Sequence, residues 1–339
     1  MSDSSRPFFT IITPVYNGGE AYRACLEAFG RSTFKDWEMI VVDDGSTDGS
    51  DVRATEFGAK VLRTTGRVGP GAARNQGAKE ARGEFVFFID ADCEVAPDTL
   101  ERAAAALKAD PGLDALFGSY DDTPAGKTLV SQYKNLQHHF VHQTGAPEAT
   151  TFWSGCGAMR TTRFLELGGF DVELFPRPSI EDIELGYRLK AAGGRIRLDR
   201  DVQVKHHKVW TIPNLVKVDI FDRGIPWTLL TLERGDVVES DLNLEWKAKA
   251  SVALACLVAA CLVLAVFAPW LLWAAAGCGT LLLLLNADFY GFFLKKKGLF
   301  FTIASVPLHW FYFLYCAVAY VLGHWKHLTR KRAAPVDAT

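Results

Sequence analysis

The side chains best suited to chemistry are acids that follow short apolar runs. In Phe85-Val-Phe-Phe-Ile-Asp-Ala-Asp92 an apolar stretch ends in Asp90-x-Asp92. Two carboxylates one residue apart at a strand end offer hard oxygen ligands to a divalent cation such as Mg²⁺ or Mn²⁺, which bridges protein carboxylates to substrate phosphates. A solvated turn would also use Asp here, so the pair alone is weak evidence; its place behind a buried strand strengthens it. Ile40-Val-Val-Asp43-Asp44 ends the same way, followed by Gly45 and by Asp48, which is expected to cap a helix from about residue 49. Adjacent acids repel each other unless a partner is present, and an Asp at this point can accept from a ribose or a base N–H.

A third run ends in Thr13-Pro14-Val15-Tyr16-Asn17, turn residues that could wall a nucleobase. Arg74 and Asn75 follow Gly69-Pro-Gly71 in the first turns of a helix, and a helix N-terminus beside an arginine favours phosphate. Glu181-Asp182 opens another helical pattern. Acids are common there through capping and the helix dipole, but one could instead serve as general base for an acceptor hydroxyl. His206-His207 closes a polar–apolar strand, and either histidine could complete a metal shell.

The elements that must hold these residues alternate. Residues 8–15, 38–42, 60–63 and 85–89 read as strands, with helical spacing over 20–30, 49–57 and 72–81 between them. Such alternation predicts an α/β fold, a mainly parallel sheet with helices on both faces, which binds ligands beyond the carboxyl ends of its strands. Residues 111–145 give no clear pattern. Regularity returns over 151–159 and in helices over 162–167 and 179–192, each stopped by paired glycines.

The order of Thr13–Asn17, Asp43–Asp48, Arg74, Asp90-x-Asp92, Gly168-Gly169-Phe170-Asp171 and Glu181-Asp182 resembles that of glycosyltransferase family 2, inverting enzymes of the GT-A fold, over roughly residues 8–210. The resemblance implies a nucleotide-sugar donor, with Pro14, Tyr16, Asn17 and Asp44 around the nucleoside and Arg74 near the diphosphate. It implies Asp92 on a divalent metal, Mn²⁺ or Mg²⁺, Asp90 on the ribose or the metal, and His206 as a third contact, with His207 an open alternative. Asp182 would be the catalytic base and Glu181 its neighbour, while Gly155 and Trp153 would border the sugar or acceptor. Processive synthases of the family carry Gln-x-x-Arg-Trp after the base helix. This chain has Asp222-Arg223-Gly224-Ile-Pro-Trp227 instead, so transfer of a single sugar is expected.

Composition sets the outer bounds. The 339 residues carry 37 Lys+Arg against 39 Asp+Glu, so no global field points to nucleic acid. The seven cysteines form no CxxC pair, which suits a reducing compartment and argues against a disulfide framework or a zinc site. The N-terminus lacks a basic region and its apolar stretch is broken at Pro14, so no secretory signal is expected.

Beyond Lys249 the chain changes character. Residues 250–273 and 274–294 are apolar stretches long enough to cross about 30 Å of hydrocarbon. A third, 299–323, is interrupted by Pro307 and His309. Lys247, Lys249 and Lys295–Lys297 predict a hairpin with both ends cytoplasmic. A spanning third segment would send the basic residues after His324 outward, a conflict that a re-entrant helix broken at Pro307 would resolve. Trp270, Trp273, Trp310 and Trp325 are expected interface anchors.

The expected organisation is a catalytic domain over 1–245, a membrane anchor of two or three helices over 246–330, and a short tail over 331–339. It belongs in the cytoplasmic membrane, with the catalytic domain facing the cytoplasm. The acceptor is expected to be lipid-linked or a membrane-proximal glycan. A polyprenyl-phosphate glycosyl synthase shares this layout, but its phosphate acceptor needs no base, and Glu181-Asp182 favours a hydroxyl. A non-catalytic nucleotide-sugar-binding protein would be expected to lose Asp92 or Asp182. A Rossmann oxidoreductase would carry GxGxxG where Pro14-Val-Tyr-Asn-Gly-Gly19 stands.

Overall fold

The computed structural model describes residues 6–234 and 246–333. The expected boundary at 245 and the end of the tail, 334–339, lie outside the described residues. The chain forms two compact units, residues 1–126 with 141–209, and residues 127–140 with 210–339.

The first unit is a nine-stranded mixed sheet. Its strands are β1 (Phe9–Val15), β2 (Trp37–Asp43), β3 (Lys60–Arg63), β4 (Phe85–Ile89), β5 (Cys93–Val95), β6 (Ala115–Tyr120), β7 (Glu148–Ala149), β8 (Cys156–Arg160) and β9 (Ile196–His206). They lie in the order β3-β2-β1-β4-β8-β6-β9-β5, with β7 beside β9. Parallel pairing, as expected, joins β3, β2, β1 and β4. Beyond β4 the pairing turns mostly antiparallel, with β8 against both β4 and β6, and β5 and β7 against β9.

The helices Gly19–Gly30, Ser50–Phe57 and Pro70–Lys79 connect the parallel strands. β1, β2 and β4 are buried along nearly their whole length, which is why their sequences are apolar runs and not alternating ones. Phe9, Ile11, Phe29, Phe85, Phe87 and Leu100 centre the core of this unit. Since β1, β2 and β4 run parallel, Val15, Asp43 and Ile89 end at one edge, and the acids that follow them gather there.

The second unit is helical. The stretches expected to begin at 250 and 274 form helices Trp246–Leu264 and Leu271–Leu285, separated by a turn that contains Pro269. Lys247, in the first turn of one helix, pairs with Asp288 at 2.7 Å, so residues 246–285 fold back as a hairpin. The third helix, Ala287–Ala333, breaks at Gly298, whose φ of 80° lies in the left-handed region that a glycine reaches without strain. The break expected at Pro307 is not there, and the helix continues through that proline. Close approach replaces bulk where helix Ile225–Arg234 meets this third helix: a Cβ on Gly323 would lie 2.6 Å from that of Thr228.

Trp246–Leu264 and Ala287–Thr329 are long and apolar enough to cross a membrane. Trp270, Trp273 and Trp325 are exposed, whereas Trp310 packs against Ala255, Leu282 and Phe313.

One ion pair is buried inside this helical unit. The Lys134 ammonium donates to Asp219 at 2.6 Å, and the Tyr315 hydroxyl donates to the same carboxylate oxygen at 2.8 Å. Asp219 sits in a π-helical stretch, Val218–Gly224, a form common at functional positions. Lys134→Met leaves that buried carboxylate with only the more distant Arg223, 3.8 Å away, as its cation and is expected to cost about 3 kcal/mol. Denaturant titration checks this, and Lys134→Met/Asp219→Leu together should recover most of the loss.

Candidate active site

The loop after β1 is tied to the loop after β2. Asn17, at φ 49°, donates its amide to the Ser46 hydroxyl at 2.9 Å and accepts the Thr47 amide at 2.7 Å. Asp44 is buried and accepts the amides of Val68 and Gly69 at 2.8 and 2.9 Å and the Thr64 hydroxyl at 2.9 Å. Tyr16 stands exposed beside them, with the Arg67 guanidinium 4.1 Å over its ring. Pro14 is buried within β1 opposite Val42, so it shapes the strand end and offers no surface. Asp48 is not the helix cap. That place falls to Gly49, while Asp48 holds the amides of Gly19 and Ser50.

Behind this rim Arg74 is buried and pairs with Asp90, and its other terminal nitrogen lies 3.8 Å from Glu181. The Arg74 Nε is buried and has no hydrogen-bond partner among the described residues. A guanidinium that keeps a donor in reserve suits an anionic ligand. Burial, opposed by Arg74 and reinforced by Asp92, pushes the Asp90 carboxyl above its ordinary range.

Asp92 follows on the half-exposed side. Its carboxylate lies 3.4 Å from the His206 Nε2, and the His206 ring stacks on Tyr120 at 4.3 Å. Burial acts to raise Asp92, but the hydrogen bond from His206 and its charge hold the carboxyl below the ordinary range. His207 turns away and meets Glu94 at 2.9 Å. The alternation of a strand thus sends one histidine to the Asp-x-Asp turn and its neighbour to the opposite side. Oxygen and nitrogen donors in this arrangement fit a hard or borderline divalent cation.

The fourth group is Asp182, in the first turn of helix Glu181–Ala191. One of its oxygens accepts both the amide and the hydroxyl of Ser154, at 3.0 and 3.1 Å, and the other accepts the Ile183 amide at 2.9 Å. The carboxylate is therefore held still. Trp153 crosses Gly155 so closely that a Cβ there would meet the indole at 2.5 Å, and the Gly155 carbonyl accepts the Asp90 amide at 3.4 Å. The wall formed by Trp153, Ser154 and Gly155 thus links the Asp182 helix to the Asp-x-Asp turn.

Glu181 is buried, and desolvation, with the Asp182 charge adding to it, pushes its carboxyl up to about 7. Because the folded value is raised, the group contributes nothing while both states are protonated. The fold then loses stability as pH rises from the ordinary carboxylate range through about 7. Glu181→Gln is expected to gain stability over the parent between about pH 5 and about pH 8, read as a widening gap in melting temperature.

The structure thus brings Arg74, Asp90 and Glu181 together, places Asp92 with His206, and sets Asp182 on Ser154. Tyr16, Asn17 and Asp44 form a separate rim. Sequence reasoning missed Ser154, Tyr120, Glu94 and Arg67. Of these, Ser154 stands between Trp153 and Gly155, where their pattern could have drawn attention to it.

An open α/β sheet with acids gathered at the carboxyl ends of parallel strands, beside a buried arginine, has the arrangement in which such sheets bind ligands. Residues 10–168 match the model of Glycosyl transferase family 2, so this part of the chain is similar to a domain of that family. The glycosyltransferase AglE of Haloferax volcanii is 33% identical over 141 residues, which cover 39% of this chain and 46% of the relative. The putative glycosyltransferase EpsH of Bacillus subtilis is 36% identical over 132 residues, 37% of this chain and 38% of the relative. The chain thus spans less than half the length of these curated relatives. Among solved structures, the mannosyltransferase PcManGT from Pyrobaculum calidifontis, in complex with GDP-Man and Mn²⁺, superposes with a TM-score of 0.58 at 21% identity, covering 95% of this chain and 88% of that one. S. aureus TarS 1–349 does so at 0.50 and 23% identity, covering 72% and 68%. These likenesses define the fold as GT-A.

Proposed function

We propose that the chain is a membrane-anchored, divalent-metal-dependent, inverting glycosyltransferase that moves one sugar from a nucleoside-diphosphate donor to an acceptor hydroxyl. The observation that carries this reading is the meeting of Asp92–His206, Arg74–Asp90 and the Ser154-held Asp182 around one sheet edge. Mn²⁺ bound with a nucleotide sugar in PcManGT supports it by likeness of fold.

In this reading Tyr16, Asn17 and Asp44 hold the nucleoside, and Arg74 offers its free Nε to the diphosphate. Asp92 and His206, with Asp90 beside them, hold a divalent ion, which when bound offsets the charge growing on the leaving diphosphate. Asp182 takes the proton of the acceptor hydroxyl as that oxygen bonds to the anomeric carbon and the diphosphate oxygen leaves with the electron pair. Glu181 keeps Arg74 and Asp182 in register. Trp153 and Gly155 border the sugar or acceptor.

Residues 1–245 act as the catalytic part and 246–330 as the anchor. The two helices of spanning length leave most of their apolar residues exposed, unlike the core helices of a soluble protein. A cytoplasmic-membrane location with the catalytic part facing the cytoplasm follows from the lysines at 247, 249 and 295–297. It favours an acceptor that is lipid-linked or a glycan near the membrane.

The test is transfer itself. The detergent-solubilised chain, Mn²⁺ and a panel of radiolabelled nucleotide sugars are incubated with a membrane lipid extract, and label in the lipid phase is counted. A metal-dependent product that survives mild acid is expected. An acid-labile product would point to a phosphate acceptor, and no product with any donor or acceptor fraction would remove the transferase reading.

A further inference from the structure

Beyond the break at Gly298 the third helix of the second unit runs on over residues 299–333. Phe300, Ile303, Phe311, Val318, Val321 and Trp325 stand exposed along it at helical spacing, as one apolar stripe. The face turned inward holds Ser305, His309 and Tyr315, all buried. An exterior more apolar than the interior is the reverse of a helix packed on a water-facing protein, and it marks contact with lipid. Cations flank the stripe, with exposed Lys295–Lys297 before it and exposed Lys326 near its end. Residues 246–333 hold nine Lys and Arg against a single acid, Asp288.

Such a stripe fits either a helix that crosses the bilayer or one that lies along it, and the inward partners separate the two. Near the start Phe301 packs on Phe293, two residues before Lys295, with ring centroids 5.3 Å apart. His309 Nδ1 lies 3.0 Å from the hydroxyl of Tyr290, two residues after the Asp288 that pairs with Lys247. Midway, the Tyr315 hydroxyl donates to Asp219, which also accepts from Lys134 at 2.6 Å and has Arg223 at 3.8 Å. Later Gly323 sits against Thr228, in the helix that ends with Glu233 and Arg234. A crossing helix would carry Lys134, Asp219 and Arg223 into the hydrocarbon with its middle turns, where charged groups are costly. The deepest partner, Ala255 in one cluster with Phe313, is eight residues from Lys247, about 12 Å along a helix.

We infer that residues 299–329 do not cross the membrane but lie along its cytoplasmic surface, with the apolar stripe in the acyl boundary and Lys295–Lys297 and Lys326 among phosphate headgroups. The inference rests on the anchored orientation proposed above and adds what its third helix binds. A helix in this position buries its apolar face about 5–10 Å into the boundary, while its other face stays at the level of polar groups. Basic clusters at both ends are then drawn to the same, negatively charged leaflet. The basic residues after His324 stay cytoplasmic without a re-entrant turn at Pro307, through which the helix continues.

Site-directed labelling tests this on the full chain in bacterial membranes. Phe267→Cys, Lys296→Cys and Lys326→Cys are each treated with a membrane-impermeant maleimide, and modified peptides are identified by mass, which sets them apart from the native cysteines. In spheroplasts Phe267→Cys, at an exposed position of the hairpin turn, is expected to react. Both lysine positions should react there at least tenfold less than in inverted vesicles. Labelling of Lys326→Cys from outside overturns the inference. Reaction of Phe267→Cys only in inverted vesicles would fault the hairpin of the proposed orientation and leave the surface helix standing. A second measurement reads depth, with nitroxide labels at Phe300→Cys, Phe311→Cys and Val321→Cys in nanodiscs and the half-buried Cys256, Cys261, Cys278 and Cys316 replaced by serine. One shallow depth of about 5–10 Å at all three positions is expected. A depth near the bilayer centre at Phe311→Cys, about 15 Å, overturns the inference.

Discussion

Asp182→Asn is expected to bind the nucleotide-sugar donor as the parent does and to lose roughly 10²- to 10⁴-fold in transfer rate. The substitution keeps the shape of the side chain. One amide oxygen can still accept from Ser154, which holds the carboxylate now at 3.0 and 3.1 Å, so the helix start and the Trp153–Gly155 wall should stay in place. What would disappear is the basic lone pair proposed to take the acceptor proton. Ser154→Ala is the companion variant. Asp182 would lose its hydroxyl partner but keep the amide, so the fall in kcat should be smaller, with donor affinity again unchanged. Single-turnover transfer beside equilibrium donor binding separates the two effects. Normal turnover in Asp182→Asn would end the assignment of this residue as base.

Asp92→Ala should act on the other half of the reaction. Its carboxylate lies 3.4 Å from the His206 ring nitrogen, a separation that suits two ligands of one ion. Removing it should abolish the part of donor binding that depends on a divalent cation and leave the weak, metal-independent part contributed by the nucleoside rim. His206→Ala should lose less, because Asp92 and Asp90 remain. Isothermal titration of donor with Mn²⁺ and with EDTA reads both. Donor affinity in Mn²⁺ equal to that of the parent would place the metal elsewhere.

Much of this was legible in the sequence for a simple physical reason. β1, β2 and β4 are buried along nearly their whole length, so they appear as continuous apolar runs, and the acids at 43–44 and 90–92 stand out against them. Parallel pairing then brings those ends to one edge. The residues of 111–145 were opaque for the opposite reason. Helix Leu129–Thr144 buries Gln132, Lys134, Asn135, Gln137, His139 and His142 beside Tyr133 and Leu136, so polar residues mask the apolar positions of its inner face. Its Lys134 is matched by Asp219, eighty-five positions later, and no local pattern reveals such a partner. Ser154 and Tyr120 were missed likewise, because their roles depend on Asp182 and His206 arriving from distant strands and helices.

The break in the last helix shows a competition between two residue types. Pro307 removes one amide from the ladder but keeps a helical φ, whereas Gly298 leaves helical geometry altogether at φ 80°. The lysines at 295–297 immediately precede that break.

The proposed function rests on binding of a nucleotide-sugar donor, through a divalent ion, at the ends of β1, β2 and β4. Its most direct test is a thermal-shift series on the detergent-solubilised chain with UDP-, GDP-, dTDP- and CMP-sugars, each with Mn²⁺ and with EDTA. Stabilisation by one nucleotide class, removed by EDTA and lacking in Asp92→Ala, is expected. Melting temperatures that no donor moves in either condition would contradict it.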